Sequence, residues 1–334
     1  MPGLAVVIVA HDSAAVLPRT LAALALQLLD GDELLVVDCA STDGGVREVP
    51  GGRLLKLDDN LGFAGGAAVG ARETRAPLLF FLNPDAAPAP GCLDALRAAA
   101  AAQPGWGAWQ ALVTLPGGER VNTRGGVTHF LGFGWAGGMD ELVTDAEPHE
   151  VSFASGAALV VRRDAWDASG GFDPGYFMYG EDLDLSLRLW LAGVGVGVVP
   201  AARVEHEYEF EKGAYKWFHL ERNRANTVLA AYPAPLLALL APALLGFELA
   251  LWLVAARDGW LPAKLRAQAA VLRSLPAIAA RRRRVQATRA VGAAAFARQL
   301  TASLDSPYLS APAPLQWLQA RYWALVRLAL RSSR

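Results

Sequence analysis

Cysteine is nearly missing from this sequence: Cys39 and Cys92 are the only two among 334 residues, far apart and in no CxxC pair. That excludes a disulfide scaffold and a cysteine-rich zinc site, and it suits a reducing compartment. No GxGxxG follows the first apolar run, so the fingerprint of a dinucleotide dehydrogenase is absent. The same turn reads AHDSAAVLPR and lacks the glycine-rich, basic loop usual in nucleotidyl transfer, a class that stays open as an alternative. There is no internal repeat and no low-complexity linker beyond Ala/Pro-rich turns. Met1 to Ala10 have no basic stretch ahead of their short apolar run, so a secretory signal is not expected. Apolar residues, by contrast, are plentiful. At 53% hydrophobic and 19% charged the chain can fill a sizeable core, as one large domain or two smaller ones.

The net charge of −1 conceals a division. From Ala231 onward fourteen Lys and Arg face three acids (Glu248, Asp258, Asp305), a net of +11, whereas the residues before carry a net of −12. A basic segment of this kind suits an anionic surface. Nucleic acid is set aside as its partner, because the segment is also strongly apolar and has no reading motif.

Leu4 to Ala10 (LAVVIVA) has the pattern of a strand buried on both faces, and Ser13 is placed to cap a helix reaching to Leu29. Leu34 to Val37, Leu54 to Leu57 and Leu78 to Leu82 repeat the strand pattern, with helices expected over Gly62 to Thr74 and Gly91 to Ala102. Such alternation predicts an α/β fold with a mostly parallel sheet, whose ligands sit beyond the carboxyl ends of the strands. Asp38, Asn60 and Asp85 lie at those ends. Trp106 to Glu150 shows only short strand-like pieces, and Phe153 to Val161 resumes strand character. Gly180 to Leu191 reads as a helix closed by Gly193, and Gly213 to Ala231 as another.

Asp38 and Asp43 in VVDCASTDGG suit a turn on their own account, or else a carboxylate accepting the imide N–H of a pyrimidine base. Asp85 in Asn83-Pro84-Asp85 follows a large apolar run; a buried carboxylate there calls for a neutralising partner, and a hard divalent cation would serve. An ordinary loop before AAPAPG is the plain alternative. Glu181, Asp182 and Asp184 open a helix, where acids complement the dipole. Asp184 can pair with Arg188 one turn on, a structural role. Glu181 and Asp182 have no such partner and follow the aromatic, glycine-flanked GGFDPGYFMYG, which favours Asp182 as a general base. His206 follows a strand, and a lone histidine is more often structural than a ligand. Arg222 in ERNR could grip a diphosphate with its planar fork or simply be solvated.

Taken in order, VVIVAHDS, VVDCASTDGG, NLGFAGGAAVG, FFLNPDAAPAPG, SGAALVVRRDAW, GGFDPGYFMYGEDLDLSLRLWLAG, His206 and ERNR resemble the family-2 inverting glycosyltransferases, in their rhamnosyltransferase-like branch. The resemblance runs from Val6 to about Asn226 and implies a GT-A fold. It divides the chain into a nucleotide-sugar-binding half (1–105), an acceptor-binding and catalytic half (106–230) and a helical, basic, apolar extension (231–334). It implies a nucleotide pocket lined by Ala10, His11, Asp38, Asp43, Asn60 and Gly65. Asp85 matches the last acid of the DxD motif, with Asn83 in place of the first. His206 would complete a Mg2+ or Mn2+ and diphosphate site, Arg222 would help hold the diphosphate, and Asp182, beside Glu181, would be the catalytic base. The expected reaction moves a sugar, rhamnose favoured, from a nucleoside-diphosphate donor to a saccharide acceptor that is lipid-linked, in cell-surface polysaccharide or glycolipid synthesis. A non-catalytic, membrane-associated scaffold that binds nucleotide sugars is the competing reading.

Ala225 to Phe247 is uncharged and long enough to cross a membrane, yet Pro233, Pro235 and Pro242 interrupt it. Nucleotide sugars place the catalytic half in the cytoplasm, and the positive-inside rule wants the basic segment there too. Both conditions are met if Pro233 to Ala256 is a broken helical pair at the inner face of the cell membrane. Arg281 to Arg284, Trp317, Tyr322, Trp323 and Arg327 would then hold anionic headgroups. A buried helical hairpin is the alternative.

Overall fold

All seven residues of Leu4–Ala10 are buried, because a parallel strand covered on both faces needs apolar side chains in both directions. They open the first of two units in a computed structural model that describes residues 1–207, 215–304 and 312–332. The first unit comprises Met1–Gly126, Ala136–Leu189 and Val194–Glu209; the second comprises Val127–Trp135, Trp190–Gly193 and Phe210–Arg334. The 105/106 division expected from the sequence falls within the first unit, and the 230/231 division within the second.

The first unit alternates β1 (Leu4–Ala10), α1 (Leu17–Ala25), β2 (Glu33–Cys39), β3 (Arg53–Leu57), α2 (Gly62–Arg72) and β4 (Leu78–Leu82). After them come β5 (Ala86–Pro88), α3 (Cys92–Ala102), β6 (Trp106–Thr114) and β7 (Val121–Thr123). The unit closes with β8 (His149–Glu150), β9 (Ala158–Arg162), α4 (Arg163–Ser169), α5 (Glu181–Leu191) and β10 (Gly195–His206). The sheet order is β8-β10-β6-β9-β4-β1-β2-β3, with β5 on β10 and β7 on β6. Of the long strands only β9 runs against the rest, so the sheet is mostly parallel, as the alternation predicts. The register pairs Ala10 with Asp38 and Ile8 with Leu82, which lines up the carboxyl ends of β1, β2 and β4. Helix α2 lies close on the sheet because Gly66 and Gly70 face Val9 and Val7; a Cβ there would stand 2.6 and 2.3 Å from valine methyls.

Two local expectations fail. Helix α1 starts at Leu17 rather than Ser13, with Pro18 in its first turn. The Ser13 hydroxyl donates to the His11 carbonyl and caps nothing, while its own carbonyl accepts from Val16 and Leu17 in a turn. The strand expected over Phe153 to Val161 begins only at Ala158, because the N–H groups of Ala154, Ser155 and Gly156 bond to side chains instead of a neighbouring strand.

The second unit is helical: α6 (Tyr215–Ala231), α7 (Ala234–Arg257), α8 (Leu261–Arg273), α9 (Leu275–Ala287) and α10 (Ala313–Ser332). Gly213 and Ala214, where a helix was also expected, lie outside the described residues. Thr128 and His129 pair in parallel with Leu300 and Thr301 in a small separate sheet. Inside the unit a buried ion network joins three helices. Lys264 Nζ donates to Glu221 at 2.6 Å and to Glu248 at 2.9 Å, and Arg224 bonds to Glu248 as well.

Helix α7 corrects the expected broken pair: it is one continuous helix of 24 residues. Pro235 sits in the first turn, where its missing N–H has no partner to lose. Pro242 alone is internal, and it removes one bond from a helix long enough to absorb the loss. The buried hairpin fails too, since only Leu236, Leu240 and Ala255 of α7 are buried. Among the described helices it is the one long and apolar enough to cross a membrane.

Candidate active site

The turn after β2 is built around two carboxylates. Asp38 is buried, and its Oδ1 accepts from the Ser41 hydroxyl at 2.5 Å and the Ser41 N–H at 3.1 Å. Asp43 accepts from Ala14 N–H and Gly45 N–H at 2.8 Å each, so both its oxygens fasten the loop. His11 Nδ1 lies 2.8 Å from the Cys39 carbonyl. Ala10, His11, Asp38 and Asp43 are thus brought together at the ends of β1 and β2. Asp12 binds the two turns across the strand ends and was missed as a functional candidate. Its Oδ1 accepts from Thr42 N–H at 2.6 Å and Asp43 N–H at 3.2 Å, and the bond from Thr42 leads in holding its carboxyl below the usual range. The available signal was an Asp directly after a strand, since Asp tolerates the left-handed φ of 49° found there.

Asn60 and Gly65 are placed by α2. Asn60 Oδ1 accepts from Gly62 N–H at 2.8 Å, and Gly62 has a φ of 66° with no room for a Cβ beside the Phe177 carbonyl. That carbonyl accepts from Ala64 N–H at 3.0 Å, joining the start of α2 to the loop before α5. Gly65 faces Leu61, where a Cβ would meet the leucine at 2.7 Å.

Asn83, Asp85 and His206 converge although they lie far apart in sequence. β5 pairs antiparallel with the end of β10 and sets His206 opposite Ala86. His206 Nε2 then stands 3.1 Å from Asp85 Oδ1 and 3.3 Å from the Asn83 amide. A half-turn of that amide presents its oxygen to the same point. One carboxylate, one imidazole and one amide suit a Mg2+ or Mn2+ that takes its remaining oxygens from water and phosphate. Among the described residues no group of three or more His, Cys, Asp or Glu could hold a metal ion, so the protein's share of such a site is small.

At the start of α5 the three acids separate into different roles. Asp184 accepts from Tyr176 hydroxyl at 3.0 Å and Arg188 Nε at 2.8 Å, the structural role expected of it. Asp182 Oδ2 accepts from Gly156 N–H at 2.9 Å and Oδ1 from Leu183 N–H at 2.7 Å. Burial pushes its carboxyl above the usual range, opposed by those two bonds. Glu181 is 6% exposed, and its Oε2 is buried without a hydrogen-bond partner among the described residues. Burial, then the Asp182 charge, raises it well above the usual range. The loop before them is strained, with Phe177 at φ 63° and Tyr179 at φ 69°.

Arg222 lies on α6 in the second unit, its Nε donating to Asn223 Oδ1 at 2.9 Å and its guanidinium 5.2 Å from the Phe218 ring. Both cysteines are buried, and that burial raises the Cys39 thiol and pushes Cys92 up to about 12, which disfavours the thiolate in each.

Comparison with known proteins agrees with this geometry. Residues 79–329 match the family described as Glycosyl transferase family group 2. The chain is 34% identical over 258 residues to the N-acetylglucosaminyl-diphospho-decaprenol L-rhamnosyltransferase of Mycobacterium tuberculosis, across 68% of this chain and 83% of that protein. Among solved structures, S. aureus TarS 1–349 in complex with UDP-GlcNAc aligns at a TM-score of 0.55 and 13% identity, over 99% of this chain and 92% of that one. GalNAc-T7 with UDP, GalNAc and Mn2+ aligns at 0.59 and 17% identity over 72% of this chain, which spans half the length of that structure. At these identities the two structures establish the fold alone, the GT-A arrangement.

Proposed function

The chain belongs to glycosyl transferase family group 2, and from that membership we propose that it moves a sugar, rhamnose first among the candidates, from a nucleoside-diphosphate donor to a lipid-linked saccharide. The observation that carries the mechanism is Asp182, buried yet held by two backbone N–H groups at 2.9 and 2.7 Å. Those bonds fix the carboxylate in place, and its raised proton affinity suits it to take the acceptor hydroxyl's proton. Glu181 beside it is raised too, by burial first and then by the Asp182 charge. A single displacement inverts the anomeric carbon, so no covalent nucleophile is required.

Asp38 offers its remaining oxygen to the base of the nucleotide, and the Asp12 bonds hold the adjoining turns in place for it. Asn83, Asp85 and His206 would hold the divalent cation. That ion, when bound, neutralises charge on the departing diphosphate. The relative's name, an L-rhamnosyltransferase acting on N-acetylglucosaminyl-diphospho-decaprenol, supports both the donor sugar and the lipid-linked acceptor. A lipid-linked acceptor in turn favours attachment at the inner face of the cell membrane through the basic, apolar second unit.

The test is the full chain offered UDP-, GDP- and dTDP-sugars with a polyprenyl-diphosphate-linked N-acetylglucosamine. Transfer from one donor class, with inverted configuration in the product by NMR, is expected. Retained configuration, nucleotidyl transfer, or donor binding with no turnover would each overturn the reading.

A further inference from the structure

In the second unit a concavity of about 390 Å³ is lined by Ala294, Ala295, Ala297, Arg298, Arg327 and Arg331. Three small side chains and three arginines make up its lining. Arg327 and Arg331 stand one turn apart on α10 and so share a face of that helix. All three arginines are exposed, and among the described residues none is paired with a carboxylate. Asp305, which lies outside the described residues, is the one acidic side chain after Asp258. Like charges gathered around a hollow repel one another until an anion enters. Guanidinium forks match phosphate oxygens two at a time. The hollow falls within the size range of small-molecule pockets and exceeds what orthophosphate alone would fill.

We propose that Arg298, Arg327 and Arg331 form a binding pocket for a phosphate-bearing ligand, separate from the residues assigned to sugar transfer. The phosphate oxygens are received by the arginine forks, and the rest of the ligand occupies the hollow beside the alanines. Two sources share this chemistry, the headgroup of an anionic phospholipid in a bilayer and a soluble diphosphate.

The experiment uses the full chain, the double variant R327A/R331A, its charge-retaining counterpart R327K/R331K and the control R266A/R273A, which removes two exposed arginines from α8. Inorganic diphosphate is titrated by calorimetry. Flotation is measured with phosphatidylcholine vesicles doped with phosphatidylglycerol, or with oleate as an anion lacking phosphate. R327A/R331A should weaken at least one phosphate probe about tenfold, with R266A/R273A much milder, oleate binding little changed, and the lysine pair only partly restoring binding. Loss confined to vesicles identifies the lipid source, and loss confined to diphosphate the soluble one; each supports the pocket. Equal loss in the two alanine pairs, or none in either, overturns it. Because neither pair touches the transfer residues, turnover of a soluble acceptor should be unchanged, which separates failure of this proposal from failure of the transferase reading.

Discussion

Glu181 and Asp182 are adjacent in sequence but differ in the hydrogen bonds they receive. Asp182 accepts two backbone N–H bonds that favour its charged form, whereas a buried oxygen of Glu181 has no partner among the described residues. Asp182→Asn keeps shape and removes basicity, so kcat should fall by roughly 10²–10⁴ while donor affinity by calorimetry changes little. Glu181→Gln should be the milder change in turnover; if it is the more severe, the two roles are reversed. Its clearer effect is on stability. A carboxyl raised in the folded state stabilises below its unfolded pKa, and that contribution is lost as pH rises through the raised value. Thermal scans should therefore show the parent losing stability as pH rises above the ordinary carboxyl range and Glu181→Gln losing less. Asp85 makes a separate prediction. Asp85→Ala should abolish Mn2+ binding by calorimetry, and EDTA should silence the parent; turnover surviving both would remove the metal from the mechanism.

At the scale of elements, the sequence placed Asp38, Asp85 and Asp182 correctly at strand ends and a helix start, because apolar runs and acid clusters are local signals. Only the family resemblance joined His206 to the site of Asp85; no local signal could, since that contact depends on β5 pairing antiparallel with β10. The Asp12 bonds between turns were hidden for the same reason: they need β1 and β2 side by side. Proline was overread at Pro242, where a long apolar helix outweighs one missing hydrogen bond. The ion network among α6, α7 and α8 was likewise invisible. Lys264 is fully buried between Glu221 and Glu248. Burial pushes Glu248 up, but Arg224 and Lys264 outweigh it and hold the carboxyl below its usual range. Removing the lysine strands two acids, so Lys264→Met should destabilise by about 3–5 kcal/mol in denaturant unfolding. Glu221→Gln combined with Lys264→Met should cost clearly less than the sum of the single changes, as expected of a direct pair. Additive losses would mean that the lysine acts by packing alone. Because Glu248 is held low, its share of the stability is present at neutral pH and lost as pH falls through the lowered value.

Over the whole molecule, charge and apolar surface are segregated. The acidic residues concentrate before Ala231, whereas the residues from Ala231 on, all in the second unit, carry the net +11 and most of the exposed leucines. On α7, Leu245, Leu249 and Leu253 recur at helical spacing and are 68, 71 and 74% exposed, an apolar stripe of the kind that marks an interaction surface. Length alone would allow α7 to cross a bilayer, but Glu248 lies within the helix and is tied to Arg224 and Lys264. Carrying that ionic group to the centre of a membrane is costly, while lying along the interface leaves it intact and buries only the leucines. Cutting the chain near Tyr232 would test this badly. It would strip Lys264 from Glu221, Trp260 from its stack on Trp217 at 5.0 Å and Phe296 from Tyr232, so lost binding could mean lost folding. Substituting the stripe is cleaner, because exposed leucines contribute little to stability. L245Q/L249Q/L253Q should keep the parent's melting temperature and its turnover on a soluble acceptor. Its flotation with both neutral and anionic vesicles should fall, and the loss should persist at high salt, since burial of apolar side chains is not screened. Arginine losses would instead act on anionic vesicles and fade as salt rises. Undiminished flotation of the leucine variant would show that α7 does not meet the membrane, and that attachment, if any, is through charge alone.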